Sequence, residues 1–298
     1  MTTPDYLQHF LRQHRLPDSY LTTANQWYQS LAETIARQKT AAETYFVAIN
    51  GTQGSGKSTL AAYLETELTH QHQLSVAVVS VDDFYMTRQQ RSDLASDIHP
   101  LLLTRGVPGT HDVELAHSTL DQLSKSEGNI ALPRFDKAID DRYPRETWPQ
   151  QQCPCDIVIL EGWCMGAQPQ KTLEPACNPL ERNEDPEGIW RQYVNTTLQR
   201  DYLPLFNRFN LWIMLKAPSF NQVFQWRLEQ EQKLAQVSDG NQIMSEQQIQ
   251  RFIQHYQRLT ENCLQELPKK THYCFQLDDK RQPQSLDNNL DLDARALF

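Results

Sequence analysis

The sequence predicts an α/β fold, a mostly parallel and doubly wound sheet flanked by helices, with further helices ahead of it. Three observations predict it. Residues 51–58 read GTQGSGKS and fit the phosphate-cradling pattern GxxxxGK[ST] at every fixed position. The loop lies between Tyr45–Asn50, an apolar run of strand length, and Thr59–His70, which has helical spacing. Strand-type runs recur at Leu74–Ser80, Asp156–Glu161, Leu211–Lys216 and His272–Leu277, most of them separated by helical patterns.

In chain order, residues 5–40 place Tyr6, Phe10, Leu11, Tyr20, Trp27, Leu31 and Ile35 at helical spacing, with a break at Pro17. Two helices packed ahead of the core are expected, so residues 1–43 are read as an extension and 44–298 as one domain. The loop comes next. Its glycines let backbone amides converge on phosphate oxygens, and the following helix adds its positive N-terminal end. Gly51, Thr52, Gln53, Gly54, Ser55, Gly56, Lys57, Ser58 and Thr59 are thus expected to hold a nucleoside triphosphate. Lys57 would bridge the outer phosphates and Ser58 would ligate Mg2+. The second strand ends at Asp82 and Asp83, on the edge that Lys57 faces, and Asp82 is the expected general base and a candidate metal-side acid. The plainer alternative for either aspartate is a helix cap.

Residues 85–150 lack regular periodicity and are rich in Pro, Arg, His and Asp, as functional or disordered stretches are. Within them, Arg105, Arg134, Lys137 and Arg142 could hold a small anionic substrate through charge-assisted hydrogen bonds, with Thr110, His111 and Asp112 beside them. A hydrogen-bonding loop histidine is the plainer reading of His111. The strand Ile157–Glu161 delivers one acid, Glu161, suited to the magnesium side. Gly162 and Trp163 follow where water-activating ATPases more often carry a second acid. GTPases need NKxD, which is absent, and the DxxG match at Asp185–Gly188 follows no strand. Beyond residue 220, glutamines alternate with apolar residues at helical spacing, which reads as solvated helix faces.

The formal charge of −9 argues against nucleic-acid or membrane-surface binding, so a phosphate site must be locally basic. No apolar run approaches the roughly 20 residues that span a bilayer, and the start MTTPDYLQHF has no secretory character. A cytoplasmic protein is expected, its six cysteines reduced. Cys153 and Cys155 flank a proline, but no second pair at zinc spacing follows. Oligomeric state leaves no mark in the sequence.

Read from residues alone, the acceptor stays open among small alcohols such as pantothenate, a nucleoside or a sugar phosphate. A regulatory nucleotide binder has no need of both Asp82 and Glu161. The segments SVDDFY, RGVPGTHD, PRFDKAIDDR and ILEGW, in that order after the loop, resemble the phosphoribulokinase, uridine kinase and pantothenate kinase superfamily of P-loop kinases. The similarity is closest to the plant-type D-glycerate 3-kinases and their microbial and fungal relatives. It continues through Gln225, Trp226 and Arg227, QIMSEQQIQRFIQHYQR and LDDKRQP, over roughly residues 43–285. The resemblance implies ATP with Mg2+, and D-glycerate as acceptor. It matches Asp82 to the catalytic aspartate and Glu161 to the Walker B acid. Arg227 matches an arginine of a lid at about 217–245, and Arg105–Asp112 match a substrate loop within 84–150. Arg281, near the last strand, is placed on the adenine side.

Overall fold

Alternate side chains of the central strands are apolar on both sides, and the chain therefore covers both faces of one sheet. The computed structural model describes residues 3–40, 43–235, 244–294 and 297. Three helices lead: α1 (Asp5–Gln13), α2 (Ser19–Trp27) and α3 (Gln29–Gln38). Then come β1 (Tyr45–Gly51), α4 (Lys57–His70) and β2 (Val76–Ser80). Helices α5 (Arg88–Asp97) and α6 (Val113–Lys125) precede β3 (Gly128–Ala131), β4 (Phe135–Asp136), β5 (Asp141–Arg142) and β6 (Gln150–Cys153). Strand β7 (Ile157–Gly162) leads to α7 (Pro179–Glu184), α8 (Ile189–Thr197) and α9 (Leu203–Phe206). The chain continues as β8 (Leu211–Lys216), α10 (Phe220–Ala235), α11 (Glu246–Glu266), β9 (Tyr273–Leu277) and β10 (Pro283–Asn288).

The main sheet has the order β10-β9-β8-β1-β7-β2. All its pairings are parallel except β9 with β10. Register sets the site: Ile49 and Ser80 both lie opposite Glu161, and Gly51 lies opposite Leu215, so the ends of four strands share one edge. Val47, Ile49, Ile157, Ile159 and Ile213 point to a core shared with α1–α4. Ala48, Val158, Leu160, Trp212 and Met214 point to the opposite core, with α6, α8, α9 and most of α11. Each fully buried aliphatic side chain there contributes about 2 kcal/mol.

The five expected strands are present. The structure differs from expectation in three places. The N-terminal segment forms three helices, because the chain breaks again at Tyr28, whose buried ring packs on Tyr63 and Phe275. Residues 85–150 are ordered into two helices and two small sheets. Helix α5 lacks an apolar stripe because Arg91 is its buried residue. Strand β10 pairs antiparallel on the sheet edge, where Pro283 and polar residues are tolerated. The glutamine-rich tract is helical, as its spacing predicts: α11 buries Ile249, Ile253, Tyr256 and Cys263 and opens on a capping box of Ser245 with Gln248. Residues 236–243 of the expected lid lie outside the described residues. Among the described residues all six cysteines are free, and no helix is long and apolar enough to cross a membrane.

Candidate active site

The phosphate loop leaves β1 at Gly51 and enters α4 at Lys57, turning through positive φ at Gly54 (78°) and Gly56 (92°). A side chain at Gly54 would bring its Cβ to 2.9 Å from the Cβ of Trp226, so glycine alone lets the loop lie against α10. Ser58 Oγ donates to Glu161 Oε1 at 2.8 Å, and Lys57 Nζ stands 3.8 Å from Glu161 Oε2. In the loop Thr52 Oγ1, Gln53 Oε1 and Ser55 Oγ, and beside it Glu161 Oε2, are buried without hydrogen-bond partners. Orphaned polar atoms around an ammonium and a helix N-terminus fit a hydrated anion chain with a divalent cation. Among the described residues no three His, Cys, Asp or Glu side chains converge on one point. Ser58 and Glu161 or Asp82 would offer oxygen ligands to a Mg2+.

Across the edge, the turn after β2 is capped by Ser80, whose Oγ accepts from Asp82 N. It presents Asp82 to the loop. Tyr85 donates its hydroxyl to Asp82 Oδ1 at 2.9 Å, and Lys137 Nζ donates to Oδ2 at 2.5 Å. Burial works against the charged carboxylate, but Lys137 and Lys57 outweigh it and hold Asp82 well below the usual range. Asp83 is different. Burial pushes it up to about 6 although Arg134 lies 3.2 Å away.

A cleft of about 310 Å³ opens over these groups. Its lining brings together the expected Gln53, Gly54, Lys57, Ser58, Asp82, Arg105, Lys137 and Arg227. Arg227 extends from α10, pairs with Glu231 at 2.7 Å and lies over the ring of Phe252. Arg105 pairs with Asp140 and stacks over Phe135. Asp140 is itself fixed by the fully buried Arg91, at 3.0 Å. In an acidic protein, this cleft gathers cations.

The other expected substrate residues lie outside it. Thr110 is fully buried, its hydroxyl donating to Val107 O and accepting from Gly106 N. Asp112 caps α6 by accepting from Leu115 N and pairs with Arg142 at 3.3 Å. Arg142 also donates to Tyr85 O, so it supports the tyrosine that bonds to Asp82. His111 is a hydrogen-bonding loop histidine, with Nδ1 2.6 Å from the Tyr202 hydroxyl and its ring stacked on Tyr85. Tyr202 sits in a π turn between α8 and α9 and also accepts from Gly109 N. Arg281 stands behind the loop, donating to Gly54 O at 2.8 Å. Thr59, Ser55 and Gly56 face a second cleft. Tyr85, Gln230, Phe252 and Tyr256 line the first cleft and were not singled out from sequence. The pair Phe252 and Tyr256, four apart on one helix face, was the available signal.

Burial pushes the His111 imidazole down to about 4, only partly opposed by Asp82. Between that value and 6.5 the unfolded chain carries a proton that the folded one lacks. Stability from this group is therefore complete above pH 6.5 and is lost as pH falls toward 4, by at most about 3 kcal/mol. Urea unfolding of wild type and His111→Gln at pH 5 and pH 7 measures it, and the variant should show the shallower pH dependence. Equal slopes would remove His111 from the acid response.

The KAP family P-loop domain model matches residues 24–106, a span that includes the phosphate loop. A kinase of Schizosaccharomyces pombe, described as the uncharacterized kinase mug58, is 34% identical over 256 residues, 80% of this chain and 90% of that protein. The chloroplastic D-glycerate 3-kinase of Arabidopsis thaliana is 31% identical over 225 residues, 70% of this chain. Only 45% of the plant enzyme's length is spanned. The solved structure of the YGR205w protein superposes with a TM-score of 0.68 at 27% identity, over 91% of this chain and 97% of that one. Sequence likeness over nearly a whole relative, together with the loop and acid-bearing strand ends, makes this chain a member of the ATP-dependent P-loop kinases that include D-glycerate 3-kinase and its fungal relatives.

Proposed function

We propose that the protein transfers the γ-phosphoryl group of ATP to the primary hydroxyl of D-glycerate, giving 3-phosphoglycerate. The observation that carries this reading is the meeting of Asp82 with Lys57 in a cleft whose remaining charges, Arg105, Lys137 and Arg227, are cationic. A small hydroxy acid suits it. Its carboxylate would engage Arg105 or Lys137, and its hydroxyl would lie against Asp82. The hydroxyl oxygen attacks the γ-phosphorus, its proton passes to Asp82, and the bond to the β–γ bridging oxygen breaks to release ADP. Lys57 and Arg227, which line the cleft, would neutralise the charge that spreads over the transferred phosphoryl group. Ser58 with Glu161 or Asp82 would hold a Mg2+, which would supply further charge neutralisation. The likeness to a protein named D-glycerate 3-kinase supports glycerate over pantothenate, nucleosides or sugar phosphates.

The test is ADP release by purified protein with Mg·ATP and a panel of small alcohols. D-glycerate should give the highest kcat/KM, and Lys57→Ala should reduce it by about two to three orders of magnitude. Stronger stimulation by another alcohol would overturn the acceptor. No stimulation by any would overturn kinase action on small alcohols.

A further inference from the structure

Helix α5 turns an arginine inward where its neighbours bury apolar side chains. Arg91 is fully buried, and its guanidinium reaches three separate segments of the chain. Nε donates to Met86 O at 3.2 Å, Nη1 to Leu103 O at 2.7 Å and Nη2 to Asp140 O at 2.7 Å. Each segment carries a residue that lines the cleft over Lys57. Met86 follows Tyr85 in the turn that presents Asp82, Leu103 stands two residues before Arg105, and Asp140 ends the turn that Lys137 begins between β4 and β5. One side chain thus docks all three.

A cation is costly to bury unless a carboxylate balances it. Asp140 does so, with Oδ2 3.0 Å from Arg91 Nη2, and its Oδ1 accepts from Arg105 Nη1. The carboxylate therefore spans a buried arginine and one that lines the cleft. Both guanidiniums lie over the ring of Phe135, 5.9 Å and 5.5 Å from its centroid. Lys137 is already engaged by Asp82 Oδ2, whereas Asp140 takes Nη1 of Arg105 and leaves the edge formed by Nε and Nη2.

We propose that this edge of Arg105 receives the acceptor's carboxylate, and that Arg91 and Asp140 are positioning residues that hold Arg105 in place for it; the inference rests on the proposed function. Without them a long side chain would have to be ordered at the moment of binding, which weakens affinity. A competing ion pair makes the opposite prediction. If Asp140 merely contended with the acceptor for Arg105, its removal would tighten acceptor binding. If it positions Arg105, its removal loosens acceptor binding.

The experiment measures ADP release by the full chain with Mg·ATP and D-glycerate, beside calorimetric titration with Mg·ATP. Wild type is compared with Asp140→Gly, Asp140→Asn, Arg105→Gln and the double variant Arg105→Gln with Asp140→Gly. Asp140 has φ 59° and a partly exposed side chain, so glycine and asparagine both suit its backbone and leave the core intact. Asp140→Gly should raise KM for D-glycerate at least fivefold, with kcat within threefold and ATP affinity within twofold of wild type. Asp140→Asn is read in its place if the glycine variant unfolds. In the Arg105→Gln background, Asp140→Gly should change kcat/KM for D-glycerate less than twofold, because the side chain it acts through is gone. A rise in KM below fivefold, a fall in KM, a parallel loss of kcat or ATP affinity, or an added loss of twofold or more in the double variant overturns the positioning role. Wild type that D-glycerate does not stimulate overturns the proposed function and this inference with it, a result seen before any variant is read.

Discussion

Replacing Asp82 by asparagine is expected to lower turnover about a thousandfold while ATP stays bound, at an affinity equal to or tighter than wild type. The amide keeps the volume and can still accept from Tyr85, but it cannot take a proton from the attacking hydroxyl. Removing one negative charge beside Lys57 and Lys137 makes the cleft more attractive to a triphosphate. Binding and catalysis should therefore separate. Steady-state rates with the preferred alcohol, beside calorimetric titration with Mg·ATP, measure both. Turnover within threefold of wild type would falsify the assignment of Asp82 as base.

The second large effect is on folding. Gly106→Ala is expected to destabilise the protein by about 3–5 kcal/mol. Gly106 has φ 138°, in the region that favours glycine, and an added Cβ would collide with the Tyr256 hydroxyl and lie 2.5 Å from its ring. That phenol cannot step aside cheaply. Its hydroxyl donates to Arg105 O at 2.9 Å and its ring packs edge-on against Trp163, whose Nε1 donates to Gly106 O. Strain and overpacking thus fall on the junction that carries Arg105 into the cleft. Urea unfolding measures the loss, and a change below 1 kcal/mol would show that the junction repacks freely.

The proposed donor half of the candidate site could be read from the sequence because its residues are local. Gly51–Ser58 is one continuous stretch, and Asp82 and Glu161 each end an apolar strand. Parallel strands bring such ends to one edge whatever the connections between them, so the three pieces could be joined before any fold was known. The acceptor half was less legible because its residues divide by direction, which composition does not record. Arg105 and Thr110 lie in one loop, yet Arg105 lines the cleft and Thr110 spends its hydroxyl inside the loop. Arg134 and Lys137 likewise part, the first toward Asp83 and the second toward Asp82. Tyr85 and Tyr256 are both buried, yet each also lines the cleft. Helix α5 hid for a related reason: its inward residue is Arg91, which donates to the carbonyls of Met86, Leu103 and Asp140, and no apolar stripe betrays it.

The strand order also bears on how the protein comes into being. Gly51 leaves the ribosome early, yet the strands that flank β1 end at residues 162 and 216, and the register joins Ile49 to Glu161 and Gly51 to Leu215. At about 5–20 residues per second, the nascent phosphate loop waits on the order of ten seconds for both neighbours. Until residue 162 is made it has neither Glu161 nor a neighbouring strand to pair with. Such long-range parallel pairings are slow to close, so the edge proposed to bind phosphate is among the later parts of the molecule to mature during synthesis.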